Sequence, residues 1–342
     1  EDEIALLERE INHNIQKRQK ELELTIALTN YCNFSCVYCY QNKNEKLMTT
    51  EVANMIIEKI DRILNDNIFE GINIHYFGGE PLLNIPVLIY LDENIKKITD
   101  KIGIVYKAFL TTNGSMLSKE LLQKVKFSSI QLTFDGLEKT HDRLRVSDHF
   151  HFKEEIELIE NIMNFSQAKV LLRTNICKEN KDEIIALHKY IFEKFGNERI
   201  EINPNRTIKY HQDDSFEMLS VQEYAEVAYQ IKLLWSEQKG KFELPVPRST
   251  PCKFPYGNAY AISPEGYCTF CSGSMDQEKK YFFDVDIENK KMFSVRKECK
   301  KCNILPLCLG GCIIQYNLRA GACTYEKYEL KNILISYIKH IS

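Results

Sequence analysis

The chain has 342 residues, a formal net charge of −3, 44% hydrophobic residues and twelve cysteines. A chain of that length buries one large core or two smaller ones, and its near-neutral charge gives no general attraction to nucleic acid or an anionic membrane. No apolar run approaches the ~18 residues of a membrane span, and the charged N-terminus carries no signal-peptide pattern.

Residues 3–20 place Ile4, Leu7, Ile11 and Ile15 at helical spacing among charges. They predict an amphipathic helix, either a docking helix or the tail of an upstream domain. The chain begins at Glu1 within that pattern, so an N-terminal part is expected to precede it. From Leu24 onward one unit repeats: a β-rich apolar run, a polar end, then a helical stretch. Strands are predicted at 24–29, 71–77, 104–111, 129–134, 168–174 and 199–203. Helices are predicted near 50–65, 82–99, 118–126, 152–164 and 181–195, with Thr49-Thr50-Glu51 and Ser118-Lys-Glu120 as helix starts. Six βα units in a row imply a parallel sheet with right-handed crossovers. Each strand ends in polar or glycine residues, which fits a barrel or partial barrel whose strand ends face the chemistry. A doubly wound open sheet predicts the same periodicity.

Pro245-Val-Pro247 marks a boundary, and eight of the twelve cysteines lie beyond it. The expected organisation is a helix or linker at 1–22, a barrel domain at 23–240, a cysteine-rich domain at 241–325 and a last helix at 326–342. The cysteines sit in metal-type clusters within a large chain, which argues for a reducing cytoplasm rather than disulfides.

Cys32, Cys36 and Cys39 follow the first strand with the spacing C-x3-C-x2-C. Three thiolates on one tight loop can hold three irons of a cubane cluster and leave the fourth iron open for a substrate. A zinc knuckle is the alternative, but those come as paired C-x2-4-C units. With the aromatic Tyr38 before the last cysteine, the triad resembles the signature of the radical S-adenosylmethionine (SAM) superfamily. The resemblance implies a [4Fe–4S] cluster whose open iron chelates SAM.

Other strand ends extend the likeness. Gly78-Gly79-Glu80 follows the second strand, where two glycines let a ligand approach the backbone and a carboxylate suits an ammonium group. It resembles the family element that holds the SAM amino group. Gln131-Leu-Thr-Phe-Asp-Gly136, followed by His141-Asp142-Arg143, resembles a segment of one radical SAM branch. By that resemblance Thr133 meets the SAM ribose and Arg173 its carboxylate, as a guanidinium is suited to do. Asn113 and Asp135 end the third and fourth strands and are expected to line the cavity, with Asn113 among the cofactor contacts. His75 and His141 read as structural.

The array Cys299-x2-Cys302-x5-Cys308-x3-Cys312, then Cys323, with Cys252 and Cys271 before it, resembles a SPASM domain. What that implies is two auxiliary [4Fe–4S] clusters, three in all. Cys299, Cys302, Cys308 and Cys323 would hold the outer one, and Cys252, Cys271 and Cys312 the inner one. Zinc binding by this array is the alternative. Cys177 matches no cluster and reads as a buried thiol. Cys268 is the one nearby candidate for a fourth inner ligand but, three residues before Cys271 on a returning strand, reads as core packing that leaves the inner cluster an open iron.

The family likeness implies a radical SAM maturase of a ribosomally made precursor peptide. A flavodoxin or ferredoxin would supply the electron, SAM would yield a 5′-deoxyadenosyl radical, and a cross-link, a Cys thioether first, would follow. A leader-binding element is expected upstream or on a separate protein. Two rivals remain. A sulfatase-maturating, formylglycine-forming enzyme would place an aspartate base after Cys271, where this chain has Ser272. A ferredoxin-like carrier would explain the clusters but not Gly78-Gly79-Glu80, Thr133 or Arg173.

Overall fold

The computed structural model describes residues 2–66, 68–196, 199–209, 215–240, 242, 244–256, 258–269, 271–274, 280–285, 292–312 and 323–341. Strands β1 (Glu21–Ala27), β2 (Gly71–Phe77), β3 (Val105–Thr111), β4 (Phe127–Thr133), β5 (Lys169–Ile176) and β6 (Ile200–Arg206) pair side by side, all parallel and in chain order. An order without reversal has no switch point, so the arrangement is a partial (β/α)6 barrel and not a doubly wound sheet. The helices between them are α2 (Thr50–Asp66), α3 (Ile85–Ile102), α4 (Lys119–Lys124), α5 (Glu138–Leu144), α6 (Phe152–Phe165) and α7 (Ile184–Phe195). Their apolar faces close one continuous core over the sheet, including Leu24, Ile60, Leu91, Leu132 and Ile159.

The last strand is longer than its pattern predicts. β6 runs through Pro204, which reads as a strand end. Among the described residues β5 is its sole strand neighbour, and an edge strand tolerates a residue that cannot donate to the ladder. Helix α8 (Val221–Lys239) was legible but unread: Ser220 and Glu223 form a reciprocal cap, and Gly240 ends the helix at φ 61°.

The cysteine-rich segment is built onto the barrel sheet. β7 (Ala259–Ile262) pairs parallel with β1, and β8 (Tyr267–Thr269) and β9 (Lys280–Tyr281) continue antiparallel. The first helix, α1 (Glu3–Arg18), braces the same segment. Ile11 and Ile15 are buried against Phe293, Val295, Leu305 and Leu309. The Asn12 side chain donates to the Phe293 carbonyl at 3.0 Å and accepts its N–H at 2.8 Å, as a strand neighbour would. No helix among the described residues is long and apolar enough to cross a membrane.

Candidate active site

The loop after β1 is held from three sides. Ser35 N donates to Val146 O at 2.8 Å and Val37 N to Leu144 O at 3.0 Å, fastening the cysteine loop to the end of α5. Buried Phe34 anchors it, and Lys43 caps the Phe34 carbonyl. Phe34 N turns back to Cys32 Sγ at 3.4 Å, and Asn113 Nδ2 approaches the same sulfur at 3.8 Å. Cys32, Cys36 and Cys39 thereby line one cavity.

The two glycines after β2 serve this loop directly. A Cβ on Gly78 would stand 2.3 Å from Thr29 O, and one on Gly79 would stand 2.2 Å from Tyr31 O. Gly79 N and Glu80 N each donate at 2.9 Å to those two carbonyls. The close backbone approach that the sequence assigned to a ligand is therefore made, at least in part, by the cysteine loop itself.

Glu80 is a second departure. Its carboxylate is fully buried and accepts Leu82 N at 3.0 Å, Thr112 Oγ1 at 2.6 Å and Asn113 N at 2.6 Å. Burial raises its pKa, and these donors pull the other way. The side chain is not among those lining the cavity, so it ties β2 to β3 where the sequence suggested an ammonium partner. Asp135 departs in the same way. It is fully buried and takes the Tyr38 phenol and, at 2.6 Å, Asn175 N, and it too is not among the cavity-lining residues.

The cavity holds about 410 Å³, within the range of small-molecule sites. Besides the three cysteines its wall includes Tyr38, Gly78, Gly79, Asn113, Thr133 and Arg173. Thr133 and Arg173 are register partners on β4 and β5, so they enter the cavity side by side. Arg173 Nε donates to Asn175 Oδ1 at 2.9 Å, and burial lowers the guanidinium's pKa. Ser272 reaches the same wall from the cysteine-rich segment. Among the described lining residues there are three arginines, Arg145, Arg173 and Arg206, and no carboxylate.

The histidines divide. His75 lines the cavity, bonded to Thr111 Oγ1 at 2.7 Å, and burial lowers its pKa to about 4. His141 is buried among Phe134, Phe152 and Glu155, away from the cavity. Arg145 was missed. It stands four residues beyond His141, in a run whose beginning alone was used.

Each thiolate of a cubane takes a different iron, so its ligands surround a volume and do not converge on a point. Among the described residues no three Cys, His, Asp or Glu side chains converge on a single-ion site, while the triad lines one cavity wall. Burial pushes the Cys36 thiol up to about 11, against the pull of Arg145, and iron binding would displace that proton. A four-iron cluster fits this donor set. In the C-terminal segment Cys252 lies within electrostatic reach of Cys312, and Cys308 of Cys299. Cys271 Sγ accepts Gly273 N at 3.3 Å, and Cys302 N donates to Cys299 O at 3.0 Å. Cys268 and Cys177 are buried.

Residues 26–191, just under half of the chain, match the family model described as the radical SAM superfamily. An uncharacterised protein of Methanocaldococcus jannaschii is 34% identical over 119 residues, and that match covers 34% of this chain and 39% of its own length. The radical SAM cyclopropyl synthase TigE of Paramaledivibacter caminithermalis is 24% identical over 372 residues, covering 95% of this chain and 76% of its own. Two solved structures share the fold. One is anSMEcpe with bound AdoMet and the Cp18Cys peptide, at TM-score 0.72 and 19% identity over 94% of this chain and 98% of that one. The other is Streptococcus suis SuiB bound to the precursor peptide SuiA, at TM-score 0.62 and 17% identity over 91% of this chain and 76% of that one. The chain carries a radical SAM domain.

Proposed function

We propose that the chain is a radical SAM enzyme that takes a hydrogen atom from a ribosomally made peptide and installs a cross-link. One observation carries this reading. A single cavity is lined by Cys32, Cys36 and Cys39, by Gly78 and Gly79, and by Asn113, Thr133 and Arg173. In this reading the three cysteines hold a four-iron cluster. The glycine turn and Asn113 border the SAM amino acid, Thr133 receives its ribose, and Arg173 pairs with its carboxylate. Bound there, cluster and SAM together supply a carbon radical that can take hydrogen from an unactivated C–H bond. The chain's share is to orient the two reactants and to keep water from them.

The peptide part draws on the fold shared with the two peptide-bound structures. A Cys thioether is the cross-link we favour. Forming it removes one hydrogen atom from carbon and then a proton and a further electron from the sulfur–carbon pair. Cys252, Cys271 and Cys312 would hold the auxiliary cluster that accepts this electron, with Cys299, Cys302, Cys308 and Cys323 holding an outer one, three clusters in all. A flavodoxin or ferredoxin would supply the initial electron, and a leader-binding element would deliver the peptide. Formylglycine formation is disfavoured by Ser272, whose hydroxyl is a poor base near neutral pH and beside which the described cavity wall offers no carboxylate.

The test is SAM cleavage. Reduced, iron-loaded protein incubated with SAM is expected to release 5′-deoxyadenosine. Changing Cys32, Cys36 and Cys39 together to Ala should remove about four irons and all of that product. Cleavage that survives the triple change would end the reading.

A further inference from the structure

Arg145 stands in the cavity wall with Cys36. The residue is 7% exposed, and its Nε is buried with no acceptor. Among the described residues its guanidinium makes no hydrogen bond or ion pair. The Phe34 ring packs against it, with its centre 5.4 Å from Cζ. Two acids, Asp135 and Glu155, act on it through space but form no ion pair with it. Asp135 accepts the Tyr38 phenol and Asn175 N, and Glu155 lies 3.1 Å from His141 Nε2. Nearby anions favour its charged form through space, but a buried guanidinium N–H with no acceptor, facing a cavity beside a cysteine, points to a missing ligand.

We infer that Arg145 is the counter-cation of the cluster held by Cys32, Cys36 and Cys39, and that it raises the reduction potential of that cluster. The inference rests on the cluster assignment above. Its physical basis is charge. Three thiolates and their cluster carry a net negative charge, and reduction adds one more. A fixed positive charge in a low-dielectric wall stabilises the reduced state more than the oxidised one. A guanidinium suits the task because it does not deprotonate and offers several N–H groups to sulfur. Phe34 holds its face, and the fastening of the loop to Leu144 and Val146 keeps Arg145 beside the cysteines through backbone bonds on either side. Arg145 acts here through the cluster, as a positioning residue.

The experiment is a redox titration of the iron-loaded full chain followed by electron paramagnetic resonance. The cluster at the triad is identified by the change in its signal on adding SAM. Arg145→Gln is expected to lower the midpoint potential by a tenfold fall in the reduction constant, about 59 mV for one electron. Arg145→Lys, which keeps the charge, should recover at least half of that shift. Unchanged potentials in both variants, with full iron content, overturn the inference. Should either variant misfold, the wild-type chain answers instead. Grown with arginine labelled in heavy nitrogen and reduced without SAM, it should show a hyperfine coupling from that nitrogen to the cluster, and no coupling overturns the inference. A wild-type chain that assembles no four-iron cluster at the triad brings down the proposed function as well. A normal cluster indifferent to Arg145 brings down this inference alone.

Discussion

Glu80 Oε2 accepts the Asn113 backbone N–H at 2.6 Å, and this contact joins the end of β2 to the end of β3 beneath the cavity. Oε1 takes Thr112 Oγ1 and Leu82 N as well. Removing the carboxylate leaves buried donors without an acceptor, each worth about 1–3 kcal/mol. Glu80→Ala is therefore expected to lose about 3 kcal/mol of stability in a denaturant titration. Because Asn113 also approaches Cys32 Sγ, the same variant should weaken SAM binding through a side chain that is not among those lining the cavity. A midpoint equal to wild type would contradict the tie.

The side-by-side placement of Thr133 and Arg173 separates two kinds of contact to one ligand. In the proposed site Thr133 supplies a neutral hydroxyl and Arg173 a charge-assisted pair. Such bonds differ by roughly a factor of two in strength. Thr133→Val should cost about 1 kcal/mol of SAM affinity and Thr133→Ser almost none. Arg173→Gln should cost about 2 kcal/mol. Calorimetric titration of the iron-loaded protein with SAM reads all three, and equal losses for Thr133→Val and Arg173→Gln would count against the assigned roles.

Much of this architecture was legible in the sequence. The six strands announce themselves because each is an apolar run ended by polar or glycine residues. Where a strand breaks that rule the reading fails, as at Pro204, which only an edge position allows. Residue types at the cavity were legible, but which way a carboxylate faces was not. Glu80 and Asp135 sit at strand ends, as cavity acids do, yet each meets backbone N–H groups supplied by a neighbouring segment of the chain. Those donors exist only once the sheet has formed, so no local pattern reports them. Arg145 escaped for a related reason. Its burial beside Cys36 depends on a cysteine loop more than 100 residues earlier. The docking of α1 was half legible: the spacing of Ile4, Leu7, Ile11 and Ile15 marks a docking face, but its distant partners Phe293 and Val295 have no local signal.

His188 gives a pH dependence with a definite sign. It is fully buried, takes Trp235 Nε1 on Nδ1 at 3.1 Å and contacts Thr174 Oγ1 at 3.3 Å. Burial lowers its pKa from 6.5 to about 3. Between those values the unfolded chain holds the extra proton, so stability rises with pH through that window and is fully present above 6.5. Each pH unit within the window is worth up to about 1.4 kcal/mol. Unfolding measured as pH falls from 6.5 toward 5 should show that slope on top of one of the same sign from His75, and His188→Gln should remove only its own share. An unchanged slope in the variant would assign the dependence to other groups.

Cys268 bears on the proposed cross-link. It lies on β8, register partner of Ile262 on β7, at 3% exposure within the main core. Tyr260 and Phe282 belong to the same core, with their rings 5.9 Å apart. The strand ends at Thr269, and Cys271 lies beyond it, bonded locally to Gly273 N at 3.3 Å. Side chains on a strand alternate faces, and the core face holds Cys268. The inner auxiliary cluster would then have three protein ligands, Cys252, Cys271 and Cys312, and one iron open to a substrate thiolate. In the proposed function such an open position would favour a thioether over a carbon–carbon link. Cys268→Ala should therefore keep the full iron content and lose about 1 kcal/mol of stability, as a small core truncation does. Cys252→Ala should lose about four irons while folding normally. Iron analysis and a denaturant titration on the two variants read the contrast. Loss of about four irons from Cys268→Ala would make Cys268 the fourth ligand, close the open position and remove the structural basis for the thioether.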